Sequence, residues 1–124
     1  MNIVGLGQAG TNIAEILSQY PQYNIFKIDA GIEGDFDFIG QYGETEDRIR
    51  TYSVKKQVGP EEYEKNVPSM KTFFRGIKGE TLFIVGGSGH ISAMCLGIME
   101  QIKDKCELSV LYIQPDTSLL SKNK

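Results

Sequence analysis

The first dozen residues constrain this chain more than any other stretch. Asn2-Ile3-Val4-Gly5-Leu6-Gly7 reads as a short buried strand that runs into a glycine turn. Gln8-Ala9-Gly10-Thr11-Asn12 then opens a helix whose apolar positions Ile13, Ile16, Leu17 and Tyr20 recur at helical spacing. A strand, a glycine turn and a helix N-terminus in that order suit an anion. The first helical N–H groups have no intrahelical partner, and the helix dipole places partial positive charge among them. Glycine lacks the Cβ that would hold a phosphate away from those donors. Valine at position 10 is therefore expected to block the ligand and leave the fold intact.

The remaining chain alternates strand and helix signals. Tyr20-Pro21-Gln22 stops the first helix, because proline disfavours helix at the residue before it. Tyr23 to Ile28 predicts a second strand ending at Asp29. Ala30 to Asp47, holding Gly31, Gly34, Gly40 and Gly43, reads as a loop with at most a helical turn over Phe36–Ile39. Arg48 to Val54 alternates polar with apolar or β-branched residues and predicts a short edge strand. Gly59-Pro60-Glu61-Glu62 is a helix start, and Pro68 divides the stretch after it into helices to Asn66 and from Ser69 to Ile77. Thr81-Leu82-Phe83-Ile84-Val85 is the continuous apolar run of a buried parallel strand, ended by Gly86-Gly87-Ser88-Gly89. His90 to Lys105 predicts a helix with Ile91, Met94, Cys95, Ile98 and Ile102 on one face. Leu108 to Ile113 is the last strand, stopped by Gln114-Pro115-Asp116, and Thr117 to Lys124 is a short polar remainder.

Such alternation implies a parallel sheet with right-handed crossovers. The expected fold is α/β: a Rossmann-like doubly wound, mostly parallel sheet with helices on both faces, as a single domain over residues 1–124. The strand at Thr81–Val85 is expected beside the first strand, on the side opposite the second. Ligands of such sheets sit at that switch point, over the carboxyl ends of the strands.

Composition narrows the function classes. A formal net charge of -3 and a pI near 5.1 argue against a nucleic-acid surface, which needs clustered Lys and Arg. No run approaches the roughly 18–20 apolar residues of a membrane span, so no membrane insertion is expected. The N-terminus enters a strand directly, with no basic stretch or cleavage site of a signal peptide. The two cysteines, Cys95 and Cys106, and the single His90 make neither a zinc cluster nor a disulfide framework. Cys95 reads as a small buried hydrophobe, and a cytoplasmic location is the expectation.

Three motifs carry chemistry. Gly5-Leu6-Gly7-Gln8-Ala9-Gly10 satisfies G-x-G-x-x-G in strand–turn–helix context, and Asp29 stands where dinucleotide-binding folds keep a ribose-binding acid. A tight turn without a ligand is the plain alternative. A P-loop is excluded, because Thr11 occupies the lysine position after Gly10. Ser88 sits on a strand-to-helix turn, but G-x-S-x-G fails at His90, the only histidine, so a serine hydrolase has no separate base.

Gly7-Gln8-Ala9-Gly10-Thr11-Asn12-Ile13 resembles the first nucleotide loop of tubulin, and from Gly5 to Asn12 the spacing is similar to that of FtsZ. Gly86-Gly87-Ser88-Gly89-His90-Ile91-Ser92 falls where that superfamily has its glycine-rich signature loop, after a strand and before a helix. There Ser88 replaces a Gly, His90 a Thr, and Ile91 and Ala93 further glycines. The family continues into a central helix and a second domain, and residues 1–124 are expected to match only the part before them.

The resemblance implies a GTP- or GDP-binding domain that uses Mg²⁺ and self-associates into cytoskeletal filaments. It implies that Gly7, Gln8, Ala9 and Gly10 line the phosphates and metal, that Asn12 reaches the base, and that Asp29 approaches the phosphates and Mg²⁺. Gly87, Ser88, Gly89, His90 and Ser92 would clamp the α and β phosphates, and Asp116 would lie near the ribose. No catalytic residue is assigned, and the isolated chain is expected to be inactive as a GTPase. The alternatives are a Rossmann module for NAD(P) or FAD and a degenerate scaffold or assembly domain without a ligand.

Overall fold

Alternation along the first strand divides the molecule into two faces. In the computed structural model, which describes residues 1–30, 41–46, 49–54, 65, 67–86 and 93–113, β1 spans Asn2–Leu6. Val4 and Leu6 point into one core, and Ile3 points into another on the opposite side. Helix α1 (Gly7–Leu17) follows without an intervening loop, then β2 (Asn24–Ala30). Strands β3 (Gln41–Glu46) and β4 (Ile49–Val54) come next. A 3-10 turn (Val67–Lys71), β5 (Gly79–Gly86), helix α2 (Cys95–Ile102) and β6 (Cys106–Ile113) complete the described elements.

The six strands form one sheet in the order β3-β4-β2-β1-β5-β6. Five of them, β4 to β6 in that order, are parallel; β3 runs antiparallel to β4. The parallel strands thus build outward from β1 to β4 on one side and to β6 on the other, which is the Rossmann-like doubly wound arrangement expected. Helix α1 covers the face of Ile3, Ile25 and Ile84. The 67–77 segment and α2 cover the other, where Phe73 and Phe74 meet Phe26 and Tyr52 edge-on or tilted. Cys95 is buried among these residues, with Met94, Ile98 and Ile102 beside it, as the periodicity predicts. Neither described helix is long and apolar enough to cross a membrane.

Several expectations are corrected. Residues 41–46 are a strand and not a loop: Tyr42 and Gly43 pair with Tyr52 and Thr51, with a bulge between Glu44 and Glu46. Glycine and glutamate are poor strand formers in isolation, so pairing with β4 decides the outcome. That makes β4 an interior strand, not an edge. Ser69–Ile77 is not an α-helix. Met70, Phe73, Phe74 and Ile77 keep the apolar spacing and are all buried, but a single i−4 bond, Phe74 N–H to Met70 C=O, is followed by i−3 bonds from Arg75 N–H to Thr72 C=O and from Ile77 N–H to Phe74 C=O. Arg50 Nη1 donates to the carbonyls of Phe73 and Arg75 at 2.8 and 2.9 Å; the first is the acceptor that Ile77 N–H would have used in a helix. Helix α2 starts at Cys95 and ends at Ile102, shorter than His90–Lys105. The apolar stripe of α1 also differs. Ala14 is fully buried while Ile16 and Tyr20 are exposed, because small residues bring the helix close to the sheet. The expected turn at Phe36–Ile39, the helix to Asn66 and the remainder from Thr117 lie outside the described residues.

Candidate functional site

The site is built where β1 becomes α1. Leu6 is extended (φ -114°, ψ 134°), and Gly7 turns the chain into the helix at φ 75°, a conformation costly for a residue with a Cβ. Among the described residues no side chain caps this helix start, and no acidic residue occupies its first turn. Thr11 Oγ1 donates back to Gln8 C=O at 3.1 Å and satisfies none of the first-turn N–H groups. Those donors therefore point to the carboxyl end of the sheet with the helix dipole behind them.

Strand register sets what surrounds them. Leu6 aligns with Ile28 of β2 on one side and Val85 of β5 on the other. The next residues along, Asp29 and Gly86, therefore flank Gly7. A Cβ on Gly86 would come within 3.5 Å of the Ala9 Cβ, so the end of β5 approaches the first turn of α1 directly. Asp29 is partly exposed. It lies on the α1 face, two residues beyond Lys27, whose ammonium pairs with Glu15 of α1. Among the described side chains, Asp29 is the carboxylate at the carboxyl ends of the parallel strands.

Gly7, Gln8, Ala9, Gly10 and Asp29 are thus brought together, Gln8 and Ala9 being exposed. Asn12 is exposed on the side of α1 turned from the sheet. Gly10 is different from its expectation. It is buried, and a Cβ on it would lie 2.3 Å from the Ile84 carbonyl oxygen; a Cβ on Gly5 would lie 2.3 Å from the Gly10 oxygen. Glycine at 5 and 10 is required for close helix–sheet packing, so valine at 10 would not leave the fold intact. Gly87, Ser88, Gly89, His90, Ser92 and Asp116 lie outside the described residues.

Ser53 was not found from the sequence. It stands in register with Asp29 at the end of β4, and its only signal is the polar pair Thr51 and Ser53 interleaved with Tyr52 and Val54. Among the described residues, no group of three His, Cys, Asp or Glu gathers to hold a metal ion. Two cavities are lined by described residues. An apolar groove of about 270 Å³ runs between α2 and β6 on the α2 face and reaches the end of β5, lined by Val85, Gly86, Met99, Val110 and Tyr112 among others. A polar one of about 130 Å³ at the amino ends of the strands is lined by Asn24, Arg50 and Arg75.

The fold and this crevice define a Rossmann-like α/β domain with a glycine turn and an uncapped helix start at its switch point. No family model, curated protein or solved structure matches the chain.

Proposed function

We propose that the chain binds a guanine nucleotide, GTP or GDP, as the nucleotide-binding domain of a cytoplasmic, tubulin/FtsZ-like, self-associating protein. The observation that carries the reading is the α1 N-terminus, uncapped and turned by Gly7 at the switch point between β1 and β5. Helix N-termini with free amides favour phosphate by both hydrogen bonding and dipole. The residue pattern Gly7-Gln8-Ala9-Gly10-Thr11-Asn12 resembles the tubulin loop and supplies the guanine part of the reading.

Mg²⁺ fits this arrangement through one carboxylate. It is commonly held by one or two carboxylates together with substrate phosphates, and Asp29 is placed to be such a carboxylate. Bound there, the ion would neutralise phosphate charge. Turnover by these 124 residues alone is expected to be negligible, because none of them is assigned to position an attacking water.

Asp29 also favours a second reading. An acid at the end of the second parallel strand of a G-x-G-x-x-G unit binds the ribose hydroxyls of a dinucleotide in Rossmann domains. Calorimetric titration decides between the two. GTP or GDP is expected to bind more tightly than NAD, with Mg²⁺ dependence for the triphosphate. Asp29→Ala is expected to weaken the Mg²⁺-dependent part of GTP binding and spare GDP. Tight NAD binding, lost in Asp29→Ala, with silent guanine nucleotides would establish the second reading. Silence towards every nucleotide would leave a scaffold domain.

A further inference from the structure

Two polar residues end neighbouring strands beside the α1 N-terminus. Asp29 and Ser53 are each the penultimate residue of their strands and align across the parallel β2–β4 pair. Successive side chains alternate between faces. Phe26, Ile28, Tyr52 and Val54 belong to the core on the α2 side, so Asp29 and Ser53 share the face of α1. Ser53 is only 8% exposed, yet its hydroxyl has no hydrogen-bond partner among the described residues. The hydroxyl oxygen itself keeps contact with solvent, so it is open to a ligand group although the rest of the residue is buried.

We infer that Ser53 is a specificity-determining residue of the nucleotide site proposed above, on which reading the inference rests. With strands about 4.8 Å apart, Asp29 stands one spacing and Ser53 two spacings from the β1–α1 turn. A ligand with its phosphate on the α1 amides brings its next polar group over β2 and β4. There the Ser53 hydroxyl and the Asp29 carboxylate together bind an O–H group, as donor–acceptor and acceptor. That group is either a ribose hydroxyl or a water held by the metal ion.

The test is Ser53→Ala, titrated with GDP, with GTP and Mg²⁺, and with the 2′-deoxy and 3′-deoxy nucleotides, with and without a chelator. Kd is expected to rise about three- to tenfold, the worth of one hydrogen bond, while the ligand-free melting temperature holds or rises. Ser53→Thr, which keeps the hydroxyl, should restore affinity. A loss that vanishes with a deoxy nucleotide identifies the ribose; one that vanishes with chelator identifies metal-bound water. Parent-like binding by Ser53→Ala overturns the inference and leaves the nucleotide reading standing. A drop in melting temperature that accompanies the affinity loss also overturns it, because Ser53 is then structural. If the parent chain binds none of these nucleotides, the nucleotide reading falls and this inference falls with it.

Discussion

Gly10 of α1 rests on the backbone of Ile84 in β5, so closely that a Cβ would lie 2.3 Å from the Ile84 carbonyl oxygen. The same turn of helix presses on Gly5 of β1, and Ala14, one turn on, is fully buried. Three small residues thus lower α1 onto the strands at the point where its first-turn amides open on the crevice. The packing that holds the fold and the donors that face a ligand belong to one turn of helix.

Stability should respond to Gly10→Ala with a sign opposite to that of an ordinary helix. In an open helix the change gains about 1 kcal/mol from propensity. Here the Cβ meets a backbone oxygen that cannot move aside alone, and overpacking of this kind costs about 1–3 kcal/mol. Urea denaturation should show a lower midpoint than the parent; a higher one would mean that α1 is free to lift from β5.

Charge at the helix start separates stability from binding. Gln8 is exposed, and the first turn of α1 has no acid. Gln8→Glu should stabilise the ligand-free protein by about 0.3–1 kcal/mol through the helix dipole. The same carboxylate repels phosphate, so nucleotide affinity should fall about tenfold, the equivalent of 1.4 kcal/mol. Melting and titration on one preparation check both signs. A stability gain with unchanged affinity would mean that no anion sits on these amides.

Asn2 is a buried polar tie between three strands. Its Nδ2 donates to Lys78 C=O at 2.9 Å and to Thr81 Oγ1 at 3.1 Å, and its Oδ1 accepts from Asn24 Nδ2 at 3.2 Å. Asn2→Ala removes the buried bond to Thr81 along with those to Lys78 and Asn24, at about 1–3 kcal/mol in all, and should destabilise more than Asn24→Ala, since Asn24 is exposed. Equal effects in chemical denaturation would refute this ranking.

Burial pushes the Cys95 thiol above its ordinary value of 9.0. A folded-state pKa raised above the unfolded one stabilises the protein below the unfolded value, and that contribution is lost as pH climbs through the folded value. Stability should therefore fall as pH rises above about 9, and Cys95→Ala should remove that part of the slope. Denaturation midpoints from pH 7 to 10 test this; an unaltered slope in Cys95→Ala would assign it elsewhere.

Much of the architecture is legible in residue order. The apolar run Asn2–Leu6 followed by Gly7, the block Thr81–Val85 and the spacing of Met94, Cys95, Ile98 and Ile102 each declare an element locally, because burial on one or both faces leaves a periodic trace. The glycine turn, its helix and Asp29 at the end of β2 were legible for the same reason.

What only the tertiary structure decided are features without a local trace. Residues 41–46 are a strand because β4 supplies hydrogen bonds that glycine and glutamate would not seek by themselves. The 67–77 segment keeps a helical apolar spacing, yet it is wound as turns, and Arg50, distant in sequence, bonds two of its carbonyls. Gly10 reads equally well as room for a phosphate or room for Ile84, and only the position of β5 separates the two. Ser53 joins Asp29 through strand register alone. Periodicity records which side of an element is buried; which partner lies there, and at what distance, is set when the strands pair.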